Sequence, residues 1–302
     1  AWNKQLTKDW SLSIKGNYTQ FKNATLSQSN NMTAINPALE FKKGIIAIHV
    51  GVKPTWSRDW GFSLLPDLSF KLHVPDSRFS LLAGWEGDII QNTYEQLSTQ
   101  NPFLFNNYSQ QQTKFQRAFG GFESSIGQHL SFNASVAWQQ WKGLPLFINN
   151  YTMSADGNYY TVVNDSSTQA IVIKADVRYQ FAEKFSIGID GKWSNFLRLE
   201  NNDKAWMQPA IQLHGKLNWQ MLNPLRFHAD INFWDGLYAL DAAGLTQKLP
   251  AFADLSLGAE YNIISRVSLF LQANNVLGTK YQRWYQYPVY GFNIIGGARL
   301  KF

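Results

Sequence analysis

The sequence predicts an all-β fold: a transmembrane antiparallel β-barrel of about 14 strands, with short periplasmic turns and long extracellular loops. Three observations carry this expectation. Charged residues make up 16% of the chain and aromatic residues 15%, whereas a soluble domain usually has roughly 25% charged residues. Mean hydropathy is −0.28, and no apolar run approaches the ~18 residues that a membrane-spanning helix needs. Apolar and polar residues alternate over long stretches, which sorts side chains onto the two faces of a strand.

Counting that alternation along the chain places strands near 9–20, 33–42, 45–54, 61–74, 79–90, 113–124 and 130–141 in the first half. In the second half they fall near 169–181, 185–197, 206–219, 225–236, 250–262, 266–277 and 289–302. The first strand shows Trp10, Leu12, Ile14, Gly16 and Tyr18 on one face. The 169–181 strand sets Ile171, Ile173, Ala175, Val177, Tyr179 and Phe181 against Val172, Lys174, Asp176, Arg178 and Gln180. The 206–219 strand sets Met207, Pro209, Ile211, Leu213, Leu217 and Trp219 against Gln208, Gln212, His214, Lys216 and Asn218. The last strand carries Tyr290, Phe292, Ile294, Ala298, Leu300 and Phe302 on one side, with Arg299 and Lys301 on the other. No helix of note is expected.

These strands run roughly ten to fourteen residues, against about five or six in globular sheets, which argues against a soluble β-sandwich. No blade-like repeat suggests a propeller. Connections at 43–44, 75–78, 125–129, 182–184, 220–224 and 263–265 are short, whereas 21–32, 91–112, 142–168, 198–205, 237–249 and 278–288 are long. An even strand count puts both chain ends on the short-turn side, the parity of a closed barrel without edges. Trp60, Trp85, Trp138, Trp193, Trp206, Trp219, Tyr261 and Trp284 lie near strand ends, as in an aromatic girdle at the headgroups.

The charge on the polar faces then becomes a lumen lining. Lys174, Asp176, Arg178, Asp190, Lys192, His214, Lys216, Arg226, His228 and Asp230 are the residues expected there. Their mixed sign argues against strong ion selectivity. Opposite charges favour a hairpin register that sets Arg178 against Asp190 and Asp176 against Lys192. His214 and His228 would oppose each other in a tight hairpin, but that register also opposes Lys216 with Arg226. No third ligand is evident, so they are read as two solvated lumen histidines and no metal is expected. The long loops are Asn/Gln-rich and aromatic, which suits either carbohydrate or protein contact or folding into the lumen.

No catalytic constellation is present. The chain has no cysteine, which removes disulfides, thiolate metal sites and thiol nucleophiles. There is no G-x-S-x-G, H-E-x-x-H, P-loop or dinucleotide fingerprint, so neither enzyme activity nor a cofactor is expected. The net charge of +6 comes in no block, so nucleic acid is not an expected partner.

The segment 268–302 resembles the end of a TonB-dependent receptor barrel. That family carries a V-x-N-L-F-x-x-x-Y-like stretch in its penultimate strand, matched here by Ala273-Asn274-Asn275-Val276-Leu277 and then Tyr281. Gly291 stands where a Gly-containing final strand begins. Phe302, with Leu300, Ala298 and Ile294 on one face, resembles the signal read by the outer-membrane assembly machinery. The resemblance implies a bacterial outer-membrane barrel, in contact with membrane lipid, that acts in passage of solutes. The family's receptors have a plug and about 22 strands; this chain shows no plug-like segment. Residues 1–302 are therefore expected to form a single barrel domain without a plug. They form either the C-terminal part of a receptor or a smaller plugless relative. The alternative function is a non-transporting scaffold within a larger outer-membrane complex for protein insertion, secretion or uptake, with other outer-membrane or surface proteins as partners.

Overall fold

The structure, a computed structural model, describes residues 1–23, 28–75, 77–105 and 110–301. In chain order its first elements are β1 (Trp2–Gln5), β2 (Trp10–Asn23), β3 (Gln28–Lys43), β4 (Ile46–Ser57), β5 (Gly61–His73), β6 (Phe79–Ile90), α1 (Tyr94–Gln100), β7 (Thr113–Ile126), β8 (Leu130–Lys142), β9 (Leu144–Asn149) and β10 (Tyr160–Asp165). There follow β11 (Thr168–Phe181), β12 (Phe185–Arg198), β13 (Ile211–Leu222), β14 (Leu225–Asp235), β15 (Tyr238–Leu240), β16 (Thr246–Lys248), β17 (Phe252–Ile264), β18 (Val267–Asn274), β19 (Gln282–Trp284), β20 (Tyr287–Pro288) and β21 (Asn293–Leu300).

One antiparallel sheet of 15 strands runs β1 to β8, then β11 to β14, β17, β18 and β21, each pairing with the next. Each strand expected from alternation has a counterpart in it, and the extra strand is β1. Closure is the point of difference. β21 pairs with β18 and β1 with β2, and among the described residues no ladder joins the two edges. β1 covers the β2 edge over Ser11–Ile14 and is itself only four residues long, so the last strand is offered a short edge there in place of the full length of β2.

Three boundaries also move. The 206–219 strand starts at Ile211 instead, because Met207 turns through φ +57° and Pro209 has no N–H to give a ladder. The penultimate strand stops at Asn274, since Asn275 takes φ +47°. The expected 21–32 loop is largely strand, with β2 and β3 paired from Trp10↔Phe41 to Asn23↔Gln28.

The hairpin β11–β12 corrects the expected register. Asp176 lies opposite Asp190 and Lys174 opposite Lys192, with Phe181 against Phe185 closing the turn. The turn is Ala182, Glu183 and Lys184, with Ala182 at φ +50°. Opposed like charges are tolerated because the carboxylates find partners on other strands. Asn133 of β8 donates to Asp176, and His214 of β13 sits 3.1 Å from Asp190. Turn geometry therefore sets this register, and the rest of the sheet supplies the countercharge.

The sheet's two faces differ in chemistry. One is apolar and uncovered: Val177 is 46% exposed, Leu213 45% and Leu271 57%. The other carries the polar residues and, at the loop end, is covered. Ala170 and Val172 of β11 are buried there, as is Leu65 of β5.

Candidate functional site

The polar face is ordered in rows, since registered neighbours on adjacent strands point the same way. One row crosses Ser135, Lys174, Lys192, Gln212 and Trp234. The next crosses Asn133, Asp176, Asp190, His214 and Asn232, and the third crosses Arg178, Gly188, Lys216 and Asp230. His228 and Arg226 lie further toward the short turns, opposite Asn218 and Gln220, with Arg226 also facing Glu260. All ten expected lining residues thus share one face.

Their contacts are side chain to side chain across strands. His214 Nδ1 lies 3.1 Å from Asp190 Oδ1, and its Nε2 lies 2.9 Å from Asp230 Oδ2. Only the doubly protonated ring donates to both. Asn232 donates to Asp230 at 2.7 Å, and Arg178 lies 3.6 Å from Asp176. His214 is therefore held between two carboxylates, and it faces Asn232 where the tight-hairpin alternative put His228. The same pattern continues over the other half of the sheet. Asp67 accepts from Asn36 at 2.7 Å and contacts His49 at 3.0 Å, Arg117 pairs with Glu86 at 3.0 Å, and Lys71 pairs with Glu123. Among the described residues no group of three or more His, Asp or Glu is arranged to hold a metal ion.

The loops form a cap with its own core. Leu97 of α1, Leu104, Phe147 of β9, Tyr160 of β10, Met207, Leu237, Leu249 and Trp284 of β19 are buried together. Trp284 meets Phe147 and Tyr160 edge-on, at centroid distances of 5.5 and 5.4 Å. The Tyr160 hydroxyl donates to the Tyr285 carbonyl at 2.8 Å; burial pushes this phenol's pKa well above its ordinary value. Phe252 and Trp234, from the loop ends of β17 and β14, join the same core, which fastens the cap to the sheet.

Asp165 is the polar clasp of the cap. Its carboxylate accepts from Thr168 Oγ1 at 2.8 Å, the Asn201 N–H at 2.9 Å, Asn202 Nδ2 at 3.0 Å and the Glu200 N–H at 3.1 Å. Burial alone would raise its pKa, but the bonds from Asn202, Asn201, Glu200 and Thr168 outweigh it and hold the group below the usual carboxylate range.

The sequence pattern misplaced some aromatics and missed the function of the amides. Trp206 and Trp284 are buried in the loop cap, and Trp60 donates its indole N–H to the Gln112 carbonyl at 2.9 Å. These three leave the girdle, whereas Trp85, Trp193, Trp219 and Tyr261 stand on the apolar face at 42–48% exposure. The two ends of the Asn/Gln-rich 91–112 loop are fastened to the neighbouring strands β3 and β7. Gln91 and Asn30 exchange bonds at 2.6 and 3.0 Å, Gln112 donates to Asn30 at 2.6 Å, and Asn92 donates to Thr113 at 2.7 Å. One signal for local order was readable: Thr93 and Gln96 form a capping box at the start of α1, the T-x-x-Q pattern that marks helix entry. Leu300 ends β21 opposite Val267 and is 61% exposed, while Phe302 lies outside the described residues.

A long-stranded antiparallel sheet with one apolar face, one hydrogen-bonded polar face and loops packed over one end has the architecture of a barrel wall. Comparison with solved structures agrees. The chain is similar to the FrpB iron transporter from Neisseria meningitidis, with 13% identity and TM-score 0.69, over 99% of this chain and 54% of that one. It is similar to the ferric enterobactin receptor PfeA of Pseudomonas aeruginosa in complex with enterobactin, with 14% identity and TM-score 0.69, over 100% and 53%. The copper transporter OprC aligns with 13% identity and TM-score 0.63, over 98% and 55%. The fold is that of a TonB-dependent receptor-like barrel, and the chain spans about half the length of the solved structures it matches. These neighbours are transporters and receptors, not enzymes. No protein-family model and no curated protein matches the chain.

Proposed function

We propose that this chain forms the wall of an outer-membrane transporter, residues 1–302 acting as one barrel unit, with its apolar face in lipid and its polar face lining the lumen. The observation that carries the reading is the two-faced sheet. A charge facing lipid at the bilayer midplane costs about 2–4 kcal/mol for Arg or Lys, and Lys174, Arg178 and Lys216 all lie on the face opposite Val177 and Leu213. The long loops then face outward from the cell, and their shared core caps the lumen. Leu300 and Phe302 serve in insertion by the assembly machinery. The scaffold alternative has no such support, since the structural neighbours named above are transporters and a receptor.

The test is expression in a Gram-negative host lacking its own iron and copper receptors. The expected result is a heat-modifiable band in the outer membrane and restored uptake of an iron chelate or copper. Fractionation with soluble proteins would end the membrane reading. Outer-membrane insertion with no uptake from a panel of iron chelates and copper would remove the transport assignment.

A further inference from the structure

We propose that the polar face carries a binding site for a phosphate-type oxyanion, built on Lys174 and Lys192. The row that holds them is unlike its neighbours. Ser135, Lys174, Lys192 and Gln212 follow one another across β8, β11, β12 and β13, and each carries a hydrogen-bond donor. None of the four makes a side-chain hydrogen bond or ion pair among the described residues. They line a cavity of about 440 Å³ whose wall also includes Trp234, His214 and the carboxylates of Asp176 and Asp190.

The adjoining carboxylates do not supply the missing charge, because they are already engaged. Asp176 takes Asn133 and Arg178, while Asp190 and Asp230 share His214. A turn register that opposes like charges has thus left two outcomes on one hairpin. The opposed aspartates found cations and donors elsewhere in the sheet; the opposed lysines found nothing. Two ammonium groups facing each other repel, and a divalent oxyanion between them replaces that repulsion with two charge-assisted bonds.

Two further observations point the same way. Ser194, on the same strand face as Lys192 and two residues toward the loops, is 4% exposed, and its hydroxyl has no partner. Arg283 of the loop hairpin places its guanidinium 4.6 Å from the ring centre of Trp234, at the end of the row. Arg283 has no ion pair among the described residues either. Two uncompensated ammonium groups and the unused donors of Ser135 and Gln212 therefore line one cavity, with Arg283 stacked on Trp234 of the same row. The site stands on this geometry whether or not the barrel transports anything.

The experiment is calorimetric titration of the detergent-solubilised full chain with inorganic phosphate, at ionic strength held constant with chloride. Glycerol 3-phosphate in a parallel arm separates a free ion from the phosphate group of a larger solute. Saturable phosphate binding is expected, about tenfold weaker in Lys192→Gln and in Lys174→Gln and unchanged in Lys248→Gln of the exposed β16. Binding of glycerol 3-phosphate with the same dependence on both lysines would support a site for phosphorylated solutes; its failure to bind, beside phosphate that does, would support a site for the free ion. Lys174 is exposed, so Lys174→Gln keeps the test open if Lys192→Gln fails to give the heat-modifiable fold. No phosphate effect beyond that of chloride, or equal affinity in folded Lys174→Gln, overturns the proposal.

Discussion

At the scale of single residues, the consequential side chains are those whose partners come from far along the sequence. Asp165 holds the backbone N–H groups of Glu200 and Asn201 and the side chains of Asn202 and Thr168 in one set of bonds. Truncating it leaves the buried Thr168 hydroxyl unmet, at a cost of about 1–3 kcal/mol, and releases three part-buried donors of residues 200–202. Asp165→Ala is therefore expected to expose residues 199–210 to limited proteolysis while the strands stay protected. Its pH dependence has a defined sign. Because the folded pKa is depressed, the clasp's contribution is present above the unfolded value of about 3.9 and is lost as pH falls further through the folded value. Proteolysis of the same loop in wild type should stay constant from neutral pH to about pH 4 and rise only below it. Gly121 is a second such position. A Cβ there would come within 2.5 Å of the Ala134 carbonyl and 2.9 Å of Ser135 Cβ. Backbone cannot swing aside as a side chain can, so Gly121→Ala should destabilise by about 1–3 kcal/mol, read as a lower midpoint of heat modifiability.

At the scale of elements, the β11–β12 hairpin shows which rules dominate. Parity was legible from the sequence, because a one-residue slip turns every charge onto the apolar face. The choice between two registers of the same parity was not. It rested on pairwise charge within the hairpin, and the hairpin is flanked by β8 and β13, whose Asn133 and His214 absorb the aspartate charge. The absence of cysteine makes the register easy to test. With cysteines introduced at 176 and 190, a disulfide should form faster than with cysteines at 178 and 190, since the first pair is directly opposed. Faster bridging between 178 and 190 would return the hairpin to the charge-paired register. The aromatic positions teach a similar lesson. Trp193 and Trp206 look alike in the pattern, yet Trp193 is 42% exposed on the wall and Trp206 is 4% exposed in the loops. Periodicity reports on a strand, and it continued past the point where Met207 had already turned the chain. The loop core was illegible for the opposite reason: its members come from five separate connections with no shared period.

At the scale of the whole molecule, the structure is a sheet with two edges, β1 and β21. Edge amides lack one neighbour, so hydrogen exchange should be faster in β21 than in β12, a difference readable by mass spectrometry of the reconstituted protein. Orientation in the bilayer has an independent reporter. Trp85, Trp193 and Trp219 stand on the apolar face, while Trp284 is enclosed in the cap. Lipids brominated near the headgroup should quench a variant that keeps only Trp193, and leave a variant that keeps only Trp284 bright. Quenching of Trp284 alone would invert the assignment of the two faces.

The shared loop core also bears on how this protein can change over time. Surface loops usually drift independently, because each answers only to solvent. Here Phe147, Tyr160 and Trp284 answer to one another across more than a hundred positions, with Asn149 and Tyr160 both bonded to the Tyr285 carbonyl. A lineage under pressure to alter one loop must then alter its companions in step, or lose the packing of all. Variation on this face should arrive as linked sets rather than as scattered single changes, and a chimaera that takes only its 282–288 hairpin from a diverged relative should lose the protease resistance of the 144–165 hairpin as well.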